Sequence, residues 1–276
     1  HLSRIGINLD NYYAQPLCTP TRASLMTGRY PIRTGLHHHV ITAAENRSLP
    51  LDEVLLPQVL KHAGYHTHLV GKWHLGFNCW EATPTFRGFD SFYGIYNGMG
   101  DYFTHYLGPG YDFHCNTRPE KAAKGHYSTE LYTKRAKEII FQHPTDEPLF
   151  LLLSQQNPHS PAQVPRRYMH RFRGFESDSK TQTYAAMLAS MDDSIYSVIQ
   201  ALKHRHMWDR TLLIFSSDNG GPIMGDFHMM NIGASNYPLR GGKMSLTEGG
   251  VKATGIVYSS TVPGGGRSFN GLMHVS

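Results

Sequence analysis

Short apolar runs alternate with longer amphipathic stretches along this chain. Four runs rich in apolar or β-branched residues, at residues 6–13, 66–70, 149–153 and 211–215, are each followed by a polar cluster. Continuous apolar runs of about five residues are typical of strands buried on both faces of a largely parallel sheet. We therefore predict four such strands, each with its polar cluster at the carboxyl end.

Helical periodicity fills the segments between these runs. Residues 50–64 carry a leucine-rich face and end in glycine, and residues 128–141 begin with a serine suited to capping. Over residues 180–203 apolar side chains recur at steps of three and four, which indicates a helix packed on the core. Strands alternating with helices predict a doubly wound α/β fold that binds ligands at the carboxyl ends of its strands. The glycine- and aromatic-rich residues 78–124 are predicted to run over the sheet edge and shape a pocket.

Composition excludes several functions without assigning one. The 276 residues suffice for one large domain, and the formal charge of +5 comes from dispersed basic residues, without the block typical of nucleic-acid arms. We therefore expect no nucleic-acid partner. No apolar run approaches the roughly 20 residues that span a bilayer, so we expect no membrane span. Three cysteines, Cys18, Cys79 and Cys115, are too few for a disulfide scaffold or a zinc ribbon, although Cys79 could pair with Cys115 in an exported protein.

The segment around Cys18 has the pattern of a helix start. Thr19 can cap a helix whose first turn begins with Pro20, which would place Cys18 just before the helix N-terminus. Backbone N–H groups and the helix dipole favour an anion or a thiolate there, and Arg22 lies on the first turn. The competing interpretation is a buried cysteine with a purely structural role. A cysteine-based phosphatase would need an arginine at position 24, where this chain has Ser24.

Residues 18–29, with the sequence CTPTRASLMTGR, resemble the sulfatase signature, in which the cysteine is oxidised after translation to formylglycine. Residues 9–13 and 30–36 look like the arylsulfatase B branch, which removes sulfate from N-acetylgalactosamine 4-sulfate units. The resemblance implies an alkaline-phosphatase-like sandwich, a mostly parallel mixed sheet with helices on both faces. Further similar segments are VGKWHLG at 70–76, RGFD at 87–90, DNGG at 218–221 and PLRGGK at 238–243.

The resemblance also implies a reaction, the hydrolysis of sulfate esters at position 18. One hydroxyl of the hydrated aldehyde derived from Cys18 would attack sulfur and release the alcohol. The second hydroxyl would then expel sulfate and regenerate the aldehyde. The implied substrates are sulfated sugars such as those of glycosaminoglycans, or aryl sulfates, and the implied maturation partner is the formylglycine-generating enzyme.

Five further residues receive catalytic roles from the same resemblance. Lys72 and Lys243 would hold sulfate oxygens, and Arg22 would hold the hydrated aldehyde. His74 would serve as base or orienter of the aldehyde hydroxyl, and His159 would lie near the leaving oxygen. Singly, such lysines are usually solvated surface residues, so the inference depends on their joint placement at the predicted strand ends.

A metal site is implied at Asp218 and Asn219, whose oxygens, with one from modified Cys18, would bind one calcium ion. The family completes this site with adjacent acidic residues on a strand that would precede His1, and it continues past Ser276 into a small C-terminal domain. We therefore expect residues 1–276 to be a partial sulfatase catalytic domain, truncated at both ends. Alone it should bind metal weakly and be inactive, while its parent hydrolyses sulfate esters.

Two other functions stay open at this stage. A phosphatase or phosphodiesterase of the alkaline-phosphatase superfamily would use a serine or threonine nucleophile with two zinc ions, and Cys18 argues against it. A non-catalytic, sulfatase-like glycan-binding protein would keep the thiol unmodified. The resemblance and the acceptor sequon at residues 46–48 favour a lysosomal or secreted protein.

Overall fold

The fold alternates strands and helices along most of the chain. In this computed structural model the described residues are 1–174, 178–223, 232–262 and 265–276. The helices are α1 (Leu2–Ile5), α2 (Cys18–Thr27), α3 (Leu56–His62), α4 (Ser128–Gln142), α5 (Arg166–Met169), α6 (Ser179–His204) and α7 (Glu248–Val251). The strands are β1 (Ile7–Tyr13), β2 (His66–Lys72), β3 (Ser91–Ile95), β4 (Tyr106–Leu107), β5 (Gly110–Tyr111), β6 (His114–Cys115), β7 (Arg118–Pro119), β8 (Leu149–Ser154), β9 (Leu213–Ser216), β10 (Gly255–Tyr258) and β11 (Arg267–His274).

The larger strands form two mixed sheets. One has the order β11-β1-β10-β9 and the other β7-β6-β3-β2-β8, while β4 and β5 form a separate hairpin. β2 pairs in parallel with both β3 and β8, and β1 pairs in parallel with β11. β10 runs antiparallel to β1 and to β9, so the first and last predicted strands point the same way. The carboxyl ends of β2 and β8 likewise lie at one edge of their sheet.

Strand β8 explains why an unbroken apolar run marks the interior of this fold. Phe150 and Leu152 pack on the core cluster that includes α2, while Leu149, Leu151 and Leu153 pack against α4 and α6 on the opposite face. Because successive side chains of a strand point to opposite faces, both faces must be covered by apolar neighbours. Helices therefore lie on both sides of this sheet, as expected for an α/β fold.

Two of the predicted helices differ from the structure in their start or extent, and a third matches it. The helix predicted at residues 50–64 contains only α3, because the Arg87 guanidinium binds the carbonyls of Pro50 and Glu53, which a helix would use internally. The serine predicted to cap α4 is instead its first residue, and the Ser128 hydroxyl donates to the carbonyl of Tyr102. The helix predicted at residues 180–203 corresponds closely to α6.

The predicted excursion at residues 78–124 was only partly correct. Its segment Ser91–Ile95 is β3, which pairs with β2 along its whole length and lies inside the sheet. The remainder adds β6 and β7 to the edge of this sheet. Cys79 and Cys115 are both unpaired thiols. Within the described part of the chain, no helix combines the length and the apolar character needed to cross a bilayer.

Candidate active site

Helix α2 begins at the residue that the sequence marks for chemistry. Leu17 occupies the N-cap position and Cys18 is the first helical residue, so the prediction that Thr19 caps this helix was wrong. The Thr19 hydroxyl is used elsewhere, because it donates to the carbonyl of His74 and accepts from the backbone N–H of Ile41. Cys18 still lies at the positive end of the helix dipole, and it is only 1% exposed.

The surroundings of Cys18 favour negative charge on its side chain. Burial and the nearby Asp218 carboxylate act to raise the pKa of the thiol. The ammonium groups of Lys72 and Lys243, together with the His159 side chain, outweigh them and hold this pKa well below its usual range. Lys72 and Lys243 are 3% and 5% exposed, so solvent screens their charges little. The residues at 18, 72, 159, 218 and 243 therefore form one site.

Arg22 ties the ends of three strands together. Its Nε and Nη2 donate to Asp218 Oδ2 at 3.1 and 2.9 Å, after the end of β9. Its Nη1 donates to the carbonyl of Lys72 at 3.1 Å and to Ser154 Oγ at 2.7 Å, at the ends of β2 and β8. These bonds direct the guanidinium to the strand ends and to the Asp218 carboxylate.

Asp218 and Asn219 present oxygen atoms to the side chain at position 18. Asn219 Oδ1 lies 3.3 Å from Cys18 Sγ. Burial alone would raise the pKa of Asp218, but the charges of Arg22, Lys72 and Lys243 hold it well below its ordinary value, so the carboxylate is ionised. Within the described ranges, no cluster of three or more His, Cys, Asp or Glu residues is placed to hold a metal ion. The oxygen donors match a hard cation in kind, and they would supply only part of its coordination shell.

His74 is buried beside this cluster with its ring orientation fixed. Its Nε2 lies 3.0 Å from the carbonyl oxygen of Ile41, which can only accept, so Nε2 carries the proton and Nδ1 is the acceptor. Nδ1 is buried without a hydrogen-bond partner in the described part of the chain. Burial and the charge of Lys72 lower the pKa of His74 to about 4, against an opposing effect of Cys18. Since Nε2 is occupied, Nδ1 is the nitrogen left for the side chain at position 18.

His159 has the opposite tautomer. Its Nδ1 lies 2.9 Å from the carbonyl oxygen of Ser160 and must donate to it. Its Nε2 is therefore the acceptor, and it receives a hydrogen bond from Lys243 Nζ at 3.1 Å. The ring of His159 is thus held by the main chain at Nδ1 and by another side chain at Nε2, whereas the ring of His74 is held by the main chain alone.

The loop that carries His159 is anchored from beneath by buried polar groups. The Tyr102 hydroxyl lies 3.0 and 2.9 Å from the carbonyl oxygens of Gln156 and His159. Asn157 is 7% exposed, and its Nδ2 lies 3.1 Å from the Tyr127 hydroxyl, 3.1 Å from the Met187 carbonyl and 2.9 Å from Ser190 Oγ, while its Oδ1 accepts from Thr129. These contacts join the loop to α4 and α6.

All eight residues singled out from the sequence, positions 18, 22, 72, 74, 159, 218, 219 and 243, meet at this site. Sequence reasoning missed Ser154 and Thr21. Ser154 is the polar residue that ends the apolar run of β8, which was an available signal. The Thr21 hydroxyl donates to the carbonyl of Asp218 at 2.6 Å, a contact across 197 positions that no local pattern encodes.

Comparison with known proteins assigns this site to a family. The sulfatase family model matches residues 1–268. The chain is 43% identical to mouse arylsulfatase J over 284 residues, which cover 100% of the chain and 46% of that protein. It is 30% identical to human N-acetylgalactosamine-6-sulfatase over 278 residues, covering 92% of the chain and 50% of that protein. The chain therefore spans about half the length of these relatives.

Solved structures support the same assignment. The crystal structure of Ps i-CgsB in complex with k-i-k-neocarrahexaose superposes with a TM-score of 0.89 at 28% identity, covering 99% of this chain and 62% of that one. The phosphonate monoester hydrolase SpPMH from Silicibacter pomeroyi matches with a TM-score of 0.61 at 16% identity, which shows a shared fold. The α/β sulfatase fold expected from the sequence is confirmed. With its family model matched over nearly all residues, this chain belongs to the sulfatase family.

Proposed function

We propose that the protein hydrolyses sulfate esters, with the side chain at position 18 as the nucleophile. The observation that carries this proposal is the setting of Cys18, buried at the start of α2 between two buried ammonium groups and the oxygens of Asp218 and Asn219. Such a pocket is suited to a tetrahedral oxyanion, because cations held in a poorly solvated site interact strongly with developing negative charge.

We propose that Cys18 is converted to formylglycine, for which its sulfur stands in here. The buried Nδ1 of His74 supports this, because it is an acceptor without a partner, and a hydroxyl at position 18 would supply the missing donor, which a thiolate could not. When hydrated, formylglycine supplies one hydroxyl to attack sulfur and a second to release the sulfate. His74 Nδ1 would accept a proton from a hydroxyl of this hydrated side chain.

The two lysines and His159 are proposed to bind the sulfate group and to protonate the leaving alcohol. Lys72 and Lys243 would hold the sulfate oxygens, since each ammonium is a strong donor in a buried setting. Lys243 now donates to His159 Nε2. When Lys243 turns toward a sulfate oxygen, Nε2 becomes free to take up a proton from solvent water and to pass it to the leaving alcohol oxygen.

A calcium ion is part of the proposal, held by Asp218 and Asn219 with an oxygen of the residue at position 18. Calcium takes about six to eight oxygen ligands, more than these residues provide, so the remaining ligands are proposed to lie outside these 276 residues. The ion would supply charge stabilisation to the nucleophile and the sulfate group. Residues 1–276 are accordingly proposed to be part of a sulfatase catalytic domain.

For the substrate we propose sulfated sugars of the glycosaminoglycan type, including the N-acetylgalactosamine 4-sulfate of the arylsulfatase B branch. The names of the relatives support this class, since one is an N-acetylgalactosamine-6-sulfatase, and a structural neighbour was solved with a neocarrahexaose. We propose a lysosomal or secreted location. The exposed sequon residue Asn46, accessible for glycosylation, is consistent with that location.

The test uses the protein that contains this chain, produced together with a formylglycine-generating enzyme. Mass spectrometry of the Cys18 peptide should find the lower mass of formylglycine, and the protein should release sulfate from an aryl sulfate and from glycosaminoglycan fragments. An unmodified thiol with retained binding of sulfated glycans would instead support a non-catalytic binding protein. Turnover of aryl phosphate in preference to aryl sulfate would support a phosphatase.

A further inference from the structure

The ring of His74 lies in a slot built from main chain. Its own backbone has a φ of 59°, its N–H donates to the Tyr96 carbonyl at 3.0 Å, and its carbonyl accepts from Thr19. The carbonyl of Ile41 fixes the ring at Nε2. With the backbone held at both ends and the ring held at one nitrogen, His74 has little freedom to rotate away from its position.

Gly98 forms one wall of this slot. A Cβ atom at this position would lie 2.1 Å from Cε1 of His74 and 2.5 Å from both ring nitrogens. Non-bonded carbon atoms prefer separations of about 3.5 to 4.0 Å, so a side chain at this position and the observed ring cannot coexist. The imidazole therefore lies flat against a bare stretch of peptide.

The wall itself is held in place on both sides of Gly98. The buried carboxylate of Asp112 accepts from the backbone N–H groups of Tyr96 and Asn97 at 2.9 and 2.8 Å. Two residues beyond Gly98, the carbonyl of Gly100 accepts from the Gln156 side chain. Because the segment is tied at both ends, an added methyl group would displace the ring before it displaced the main chain.

We propose that Gly98 is a positioning residue for the hydrolytic reaction. Because it has no side chain, the His74 imidazole can lie against the main chain with Nδ1 directed at position 18. The reaction itself rests on the function proposed above, while the steric contact does not. Gly98 touches no reacting atom and acts only through His74. Its φ lies outside the left-handed region, so the requirement for glycine here comes from the ring.

Gly100 provides a matched control on the same segment. It is buried like Gly98, yet a Cβ there would meet only the Tyr106 carbonyl oxygen, at an ordinary 3.8 Å. Gly98→Ala should lower kcat for an aryl sulfate about 100-fold with KM changed less than about threefold, because misplacing a catalytic group by about 1 Å has an effect of this size. Gly100→Ala should stay within about twofold of the parent in both constants.

A second background separates positioning from general damage. When His74→Ala removes the ring, the slot has room for a methyl group, so Gly98→Ala should then change kcat by less than about threefold. Thermal unfolding of each variant establishes that it is folded. If Gly98→Ala lowers kcat equally in both backgrounds, or behaves like Gly100→Ala in the parent, the proposal is overturned.

A spectroscopic readout makes the test independent of turnover. In protein labelled with ¹⁵N-histidine, the signals lost in His74→Ala identify this ring, and they should report a proton on Nε2 and none on Nδ1. Gly98→Ala should move or broaden these signals, and Gly100→Ala should leave them in place. Unchanged signals in Gly98→Ala would refute the positioning role. A parent without sulfatase activity would refute the proposed function alone, because the NMR comparison would still stand.

Discussion

The two histidines of the site are held in contrasting ways. His74 is buried, its ring is fixed by the Ile41 carbonyl, and Gly98 closes the slot around it. His159 lies on a loop, with Nδ1 bound to the Ser160 carbonyl and Nε2 bound to the side chain of Lys243. In the proposed reaction the nucleophile at position 18 would be common to every substrate, so the group beside it can be fixed by main chain. The leaving alcohol would differ between substrates, and a side-chain contact that can change partner suits that side of the site.

The largest loss of activity should come from removing the side chain proposed as the nucleophile. Cys18→Ala removes the side chain that formylglycine formation requires, and the sulfatase activity of the protein should fall by at least about 10⁴-fold. Aryl sulfate turnover measures this, with circular dichroism as the test of folding. Activity within about tenfold of the parent would mean that position 18 is not the nucleophile.

The next test compares the two histidines with two substrates. His159→Ala should lower kcat about 100-fold for a sugar sulfate, whose alkoxide leaves poorly, and less than about tenfold for 4-nitrophenyl sulfate. His74→Ala should lower kcat by a similar factor for both substrates, because it acts on the nucleophile. Equal sensitivity of the two variants to the leaving group would remove the distinction between the two sides.

The third test weakens the anchoring of the loop that carries His159 and leaves the surroundings of His74 unchanged. Asn157→Ala leaves the buried hydrogen-bonding groups around it without partners, and the free energy of unfolding should fall by about 2 kcal/mol. Urea denaturation measures this loss. Ser190→Ala, which removes one of these bonds, is the control and should lose about 1 kcal/mol. Equal stability of Asn157→Ala and the parent would show that this network does not anchor the loop.

The smallest expected effect concerns acid and the strand that leads to His74. Burial lowers the pKa of His68 on β2 to about 4, with Asp90 opposing and Arg135 reinforcing the shift. Between pH 6.5 and 4 the unfolded chain takes up a proton at this residue and the native protein does not. The free energy of unfolding therefore falls as pH is lowered through this window and levels off below it.

His68→Gln isolates this contribution. Between pH 7 and pH 5 the variant should lose about 1 kcal/mol less of its unfolding free energy than the parent, a figure reduced for the partial exposure of the ring. Denaturant titrations at the two pH values measure the difference. Equal losses would place the acid sensitivity in other residues.

The sequence predicted the elements whose pattern reports burial directly. β8 is covered on both faces, so its run of leucines had one plausible interpretation, and the long apolar stripe of α6 packs on the same core. β11 was missed because its exposed residues mix polar and apolar types without alternation: Ser268 and Asn270 are exposed, and so is Leu272, at 80%. β3 was missed because its short run is interrupted by Gly94, whose absent side chain lets β3 approach the backbone of Gly71.

The site was easier to predict than its supports. Cys18 and Asp218 lie in recognisable motifs, and each stands beside a predicted strand or helix end. The residues that contact them, such as Thr21, lie in no motif that reveals the contact, because a contact between distant segments depends on the packing of the whole chain. Nothing local distinguishes Gly98 from Gly100, and only the placed ring of His74 shows that Gly98 lacks room for a side chain.

The hydrogen bonds of Arg22 determine when, during synthesis of the chain, the pocket around Cys18 can form. They reach 50, 132 and 196 positions along the chain, so the pocket closes only after the last of these segments has been made. At a synthesis rate of about 5–20 residues per second, residue 18 precedes residue 218 by roughly 10–40 s. In the finished protein Cys18 is too enclosed for a second enzyme to reach it. The proposed conversion of this cysteine would therefore have to occur while the chain is still being made or has yet to fold.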